Sequence, residues 1–103
     1  MPTRLIWSPQ ARADLIDIYL TIAVDRPQVA ERFFDRLEAR ARELEAFPRL
    51  GPRYAELRPS VRLLSERPYA ILYETTPDTD EGPVTSVAII RVVDARRDLH
   101  RLA

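Results

Sequence analysis

Apolar positions along the chain first recur every three to four residues and later every second residue. In the stretch SPQARADLIDIYLTIA, the residues Ala11, Leu15, Ile18 or Tyr19, and Ile22 share one helical face. Ser8 is suited to the N-cap and Pro9 to the first helical position, so a helix is predicted to begin there. Asp25 with Pro27 repeats the start signal. Ala30, Phe33, Phe34, Leu37, Ala41 and Leu44 then run down one side of a second helix, whose other side is charged. So short a connection predicts two antiparallel helices.

Pro48, Gly51 and Pro52 end that helix in FPRLGPRY, and the period then falls to two. Val61 and Leu63 alternate with Arg62 and Leu64; Tyr69, Ile71 and Tyr73 alternate with Ala70 and Leu72. VTSVAIIRVV is the most continuously apolar run and predicts a central strand buried on both faces. Thr3 to Trp7 reads as a further short strand. TTPDTDEGP is acidic and turn-rich, with the composition of a mobile loop, and DARRDLHRLA is either a short helix or a frayed end. The resulting order, β-α-α-β-β-β, predicts one α+β domain over residues 1–103. Its helical hairpin packs on one face of a small, mainly antiparallel sheet.

Composition removes several chemistries. The chain has no cysteine, no lysine and a single histidine, His100. Thiolate metal sites, histidine clusters and lysine-based catalysis are therefore excluded, and a reducing cytoplasm is the expected compartment. Two glycines cannot build a phosphate-cradling loop, and no apolar run reaches the roughly 20 residues of a membrane span. No cofactor or metal is expected. His100 lies in a polar tail, a poor place for a preorganised triad, and Asp78, Asp80 and Glu81 read as a solvated charge run.

Net charge is zero but uneven, with arginine in excess over residues 49–67 and 84–103. Arg58 and Arg62 flank the start of one predicted strand, Arg91 lies on the longest, and Arg96, Arg97 and Arg101 follow it. In a meander those positions can share a sheet edge, forming a cationic patch for an anionic partner. Single arginines are more simply read as ion-paired, with Arg62–Glu66 and Arg97–Asp98 as pairs. The strands also carry apolar residues in both phases, so Leu57, Leu64, Ala70 and Leu72 predict an apolar second face. Either the chain end or a partner segment would cover it.

The stretches WSPQARADLIDIYLTIA, FPRLGPRYAELRPSVRLL, YAILYE and IIRVVDARRDL together resemble the ParE branch of the RelE/ParE toxin superfamily. Ala11, Asp14-Leu15 and Ile18-Tyr19 match its first helix. Pro48 and Gly51 match the break, Glu56-Leu57-Arg58-Pro59 with Val61-Arg62 the next strand, and Arg91-Val92 with Arg97-Asp98-Leu99 the end. The resemblance spans nearly the whole chain and implies the same β-α-α-β-β-β order. It implies a toxin that poisons DNA gyrase and is neutralised by a ParD-type antitoxin, with no direct nucleic-acid contact by the chain alone.

On this reading Arg58, Arg62, Leu64, Leu72 and Arg91 bind the antitoxin, and Arg96, Arg97 and Arg101 contact gyrase. The family often has His-Gly where this chain has Asp94-Ala95. The alternatives are a RelE-like ribosome-dependent mRNA endonuclease, using Arg62, Arg97 and His100, and a non-toxic antitoxin-binding module.

Overall fold

The computed structural model describes residues 3–102. Strand β1 (Arg4–Trp7) leads into helix α1 (Pro9–Ala23) and helix α2 (Pro27–Ala46). Strands β2 (Arg62–Glu66), β3 (Tyr69–Thr76) and β4 (Ser86–Asp94) follow, then a 3-10 turn over Leu99–Arg101. The start of α1 is as the sequence predicts: the Ser8 hydroxyl accepts the Ala11 N–H at 3.0 Å, and Pro9 opens the helix. It also donates to the Ile90 carbonyl at 3.1 Å, tying the helix start to β4. At α2 the expectation shifts by one residue. Arg26, not Asp25, is the N-cap, and no side chain caps it, although Pro27 still begins the helix.

The sheet runs β1-β4-β3-β2, with β1 parallel to β4 and the other pairs antiparallel. Two helices therefore pack on a four-stranded mixed sheet in an α+β fold. Cross-strand partners share a face, so Leu64, Ile71 and Val92 form one row and Leu63, Leu72 and Arg91 a row on the opposite side. A bulge at Leu72/Tyr73 brings Tyr73 opposite Ile89 and passes over Ile90. The core joins Ala11 and Leu15 of α1 and Phe33, Leu37, Ala41 and Leu44 of α2 to Leu64, Ile71, Tyr73, Val87, Ile89 and Val92. Leu37 and Leu44 are fully buried, each worth about 2 kcal/mol in water exclusion.

β4 is central only in part. Its pairing with β1 ends at Trp7–Ile89. Beyond that point α1 takes the place of a strand: Ser8 bonds Ile90, and Asp14 accepts the Val92 N–H at 2.9 Å.

The expectation of an open apolar sheet face is not met. Ala70, Leu72 and Val93 are buried within the chain itself. The exposed large apolar residues are Ile6, Ile16, Leu20, Val24, Val29, Phe47 and Leu50, none of them on β2, β3 or β4. Leu64 lies on the helix side because its partner is Ile71. A shift of one residue in phase moves a side chain across the sheet, and sequence alternation alone could not set that phase. Among the described residues no helix is long and apolar enough to cross a membrane.

Candidate functional site

A cleft of about 370 Å³ opens between α1 and the segment that continues β4 into the 3-10 turn. It gathers three arginines, Arg91, Arg97 and Arg101, and four aspartates, Asp14, Asp17, Asp94 and Asp98. Its foundation is Asp14, which interrupts the apolar face of α1 and is 8% exposed. One carboxylate oxygen accepts Arg91 Nε at 2.7 Å and the Val92 N–H at 2.9 Å; the other accepts Arg91 Nη2 at 3.1 Å and Gln10 Nε2 at 3.2 Å. Hydrogen bonding to Asp14 raises the Arg91 pKa further above its already high value, so that guanidinium stays charged.

At the mouth of the cleft, Asp94 is almost buried and organises the start of the tail. It accepts the Arg96 N–H at 2.9 Å and the Arg96 guanidinium at 3.2 and 3.0 Å, while Arg97 lies 3.7 Å away. The Arg96 bonds hold the Asp94 carboxyl below the usual carboxylate range. Asp98 and Arg101 face each other at 3.7 Å. Chemically the cleft is a compensated ionic network. It offers no guanidinium without a nearby carboxylate, and no arginine can serve as a base.

A second polar cluster sits at the far end of β2. Gly51 lies so close to that strand that an added Cβ would meet the Leu63 carbonyl oxygen at 2.5 Å. Its N–H donates to the buried Tyr73 hydroxyl at 2.9 Å, and its carbonyl accepts Arg62 Nη1 at 3.0 Å. Burial pushes the Tyr73 phenol up, partly opposed by the Gly51 bond. Arg62 Nη2 reaches Asp80 at 3.4 Å, and its Nε has no partner among the described residues.

The acidic loop after β3 is tethered to this cluster, while residues 76–83 stay exposed, as a solvated charge run should. Arg53 grips Asp78 at 2.8 Å and Asp80 at 3.0 Å, and Arg49 donates to the Thr79 and Gly82 carbonyls at 2.8 and 2.9 Å.

The predicted site residues therefore separate. Arg91, Arg97 and Arg101 do meet in one cleft. Arg96 binds Asp94 at the cleft's edge, and Arg58 pairs with Glu74 at 3.4 Å elsewhere. Arg62 faces the helix-bearing side in register with Tyr73, opposite to the Arg91 row, and is 6% exposed. Leu64 and Leu72, expected at a partner surface, are 2% and 0% exposed and have no free area to offer. The single cationic patch is thus replaced by separate ion pairs.

The pairs are also not those read from the sequence. Arg62 meets Asp80 and Arg97 meets Asp94, while Glu66 is taken by Arg36 and Arg40. The side chain of His100, a residue of the alternative catalytic set, lies outside the described residues.

Sequence reasoning missed Asp14, Asp80 and Asp94 as organising carboxylates. For Asp14 a signal existed: it falls three residues after Ala11 and four before Ile18, on the face otherwise reserved for apolar side chains. Asp80 and Asp94 gave none, because their partners are set by loop and tail placement.

The family model for the ParE toxin of type II toxin–antitoxin systems, parDE, matches residues 5–99. Toxin ParE3 of Caulobacter vibrioides is 35% identical over 72 residues, which cover 70% of this chain and 65% of that protein. The matched part thus spans just under two thirds of that relative. Among solved structures, a chain of the chromosomal ParDE TA system from P. aeruginosa superposes with a TM-score of 0.70 at 25% identity, over 89% of this chain and 95% of that one. A chain of the toxin–antitoxin complex RelBE2 from Mycobacterium tuberculosis gives 0.64 at 23% identity, over 91% and 99%, a likeness of fold alone. With the fold, the order of elements and a match over nearly the full length in agreement, this chain belongs to the ParE toxin family of type II toxin–antitoxin systems.

Proposed function

We propose that this chain is a toxin that blocks DNA gyrase in the cytoplasm and is neutralised by a ParD-type antitoxin. The observation that carries the choice of target is the charge balance of the cleft. An RNA-cutting site needs uncompensated cations around the scissile phosphate and a group able to take the 2′-hydroxyl proton. Here four aspartates accompany three arginines in the cleft, Arg91 is held charged, and the sequence contains no lysine. Phosphate entering the cleft would meet carboxylates. A protein surface can instead match such alternating charges pair by pair. Family membership over residues 5–99 supports the toxin assignment.

Pulse labelling of bacteria during induced expression tests the reading. DNA synthesis is expected to stop first while protein synthesis continues, and co-expression of a cognate ParD-type antitoxin is expected to restore growth. Early arrest of translation would reject gyrase as the target. Loss of toxicity in His100→Ala would then point to the endonuclease. Normal growth with abundant folded protein would leave a non-toxic antitoxin-binding module.

A further inference from the structure

Helix α1 is apolar on two faces. The core takes Ala11 and Leu15, with Ile18 and Ile22 packed beside them. Ile16, Leu20 and Val24 recur every fourth residue on another face and are 56%, 55% and 81% exposed. Where this outer stripe meets α2, a groove of about 350 Å³ opens, lined by Ile16, Tyr19, Glu31, Phe34 and Asp35. The Tyr19 and Phe34 rings pack edge-on, their centroids 6.2 Å apart. None of these residues lines the arginine–aspartate cleft. We infer that this outer groove of the hairpin seats a basic side chain of a partner protein, whose neighbouring aliphatic residues cover the stripe.

Glu31 and Asp35 set the sign of that partner. Both are exposed, and neither makes an ion pair or side-chain hydrogen bond among the described residues. They stand four residues apart on α2, so like charges neighbour each other, an arrangement that disfavours the free helix and that a cation between them relieves. Further along the same helix Glu38 meets Arg42 at 3.4 Å and Glu43 meets Arg40 at 2.9 Å. Of the arginines nearest the two carboxylates in sequence, Arg36 is turned to Glu66 at 2.9 Å. Arg32 shares an adjoining depression with Glu31 and Asp35 yet pairs with neither. A guanidinium or ammonium in the groove would meet carboxylates and aromatic rings together, each of which favours a cation. A divalent metal ion takes six or more oxygen ligands and gains nothing from aliphatic and aromatic walls. A nucleic acid would bring phosphates against both carboxylates. A basic residue carried on a protein has the charge, and its aliphatic neighbours have Leu20 and Val24 to rest on.

This inference stands apart from the gyrase reading, since it requires only a partner exposing a basic residue among aliphatic ones. The test selects a phage-displayed library of random peptides on the folded full chain. Enriched sequences are expected to combine Arg or Lys with spaced aliphatic residues. A synthetic copy of the best one is expected to bind about tenfold more weakly to the double variant Glu31→Gln, Asp35→Asn. Ile16→Ala, which removes an apolar wall and keeps both carboxylates, is expected to weaken it about threefold. Glu45→Gln, which alters an equally unpartnered acid at the far end of α2, is expected to change binding less than about twofold, as a remote screened charge should. Without peptide, the double variant is expected to melt no lower than wild type, because it removes a repulsion.

No enrichment, enrichment of acidic or uncharged sequences, or a loss in Glu45→Gln equal to that in the double variant would overturn the inference. Unchanged binding to Ile16→Ala would do the same, since attraction to surface charge would then suffice. Two results without peptide also count against it: a lower melting midpoint in the double variant, which would give the carboxylates a structural role, and self-association in sedimentation that the double variant abolishes, which would make a second copy the occupant.

Discussion

Asp14 is one carboxylate with three structural duties: it neutralises Arg91, satisfies the Val92 N–H and closes the edge of β4 where β1 has ended. Asp14→Ala would leave a buried backbone donor and a charged guanidinium without partners. Arg91 is one third exposed, so water takes up part of that loss. A cost of about 3 kcal/mol is expected in urea unfolding, and a loss below about 1 kcal/mol would contradict the role assigned here. Gly51 makes a separate prediction. Its added Cβ would press on the Leu63 carbonyl, and backbone cannot step aside as a flexible side chain can. Gly51→Ala should cost about 1–3 kcal/mol and shift the amide resonances of Leu63 and Leu64. An unchanged midpoint and spectrum would show that β2 has room to move. Among these residues Gly51 was legible as a helix-ending turn, but its contact with β2 was not, because that depends on where the chain returns.

At the scale of elements, both helices, all four strands and their order were legible in the sequence, since helical and strand periods leave distinct apolar patterns. The start at Pro9 followed from cap and proline chemistry, and that at Pro27 from proline alone. What the pattern did not contain was phase and partner. Leu63 and Leu64 are both apolar, so alternation could not say which faces the helices; pairing with Leu72 and Ile71 decides it. The acidic loop read as mobile because its composition is that of a turn, whereas Arg49 and Arg53, more than twenty residues earlier, fasten it.

The segment after β4 yields the pH prediction. Asp94 has a lowered carboxyl pKa, so the stability it contributes is present at neutral pH and disappears as pH falls through the lowered value. Asp94→Asn should therefore destabilise the chain at neutral pH, and its gap from wild type should close on acidification. Thermal melts from neutral pH to about pH 2, below the reference range for aspartate, provide the measurement. A gap that stays constant would remove Asp94 from the account of how the tail is held.

For the whole molecule, the sequence pattern carried the fold and the family resemblance, while the candidate site had to be redrawn. Charge counted along the chain suggested one arginine patch. Folding brings Asp14, Asp80 and Asp94 to those arginines from distant or unmarked positions. Net charge of a segment is a poor guide when its partners come from another layer of the fold. Arg32, without an ion pair or side-chain hydrogen bond among the described residues, lies on the side of α2 that the sequence marks as charged.

The central claim concerns the target, and the most direct measurement is gyrase supercoiling and DNA cleavage in the presence of the purified chain. The account predicts loss of supercoiling or accumulation of cleaved DNA, reversed when the cognate antitoxin is added. Full gyrase activity at saturating amounts of folded chain would contradict it.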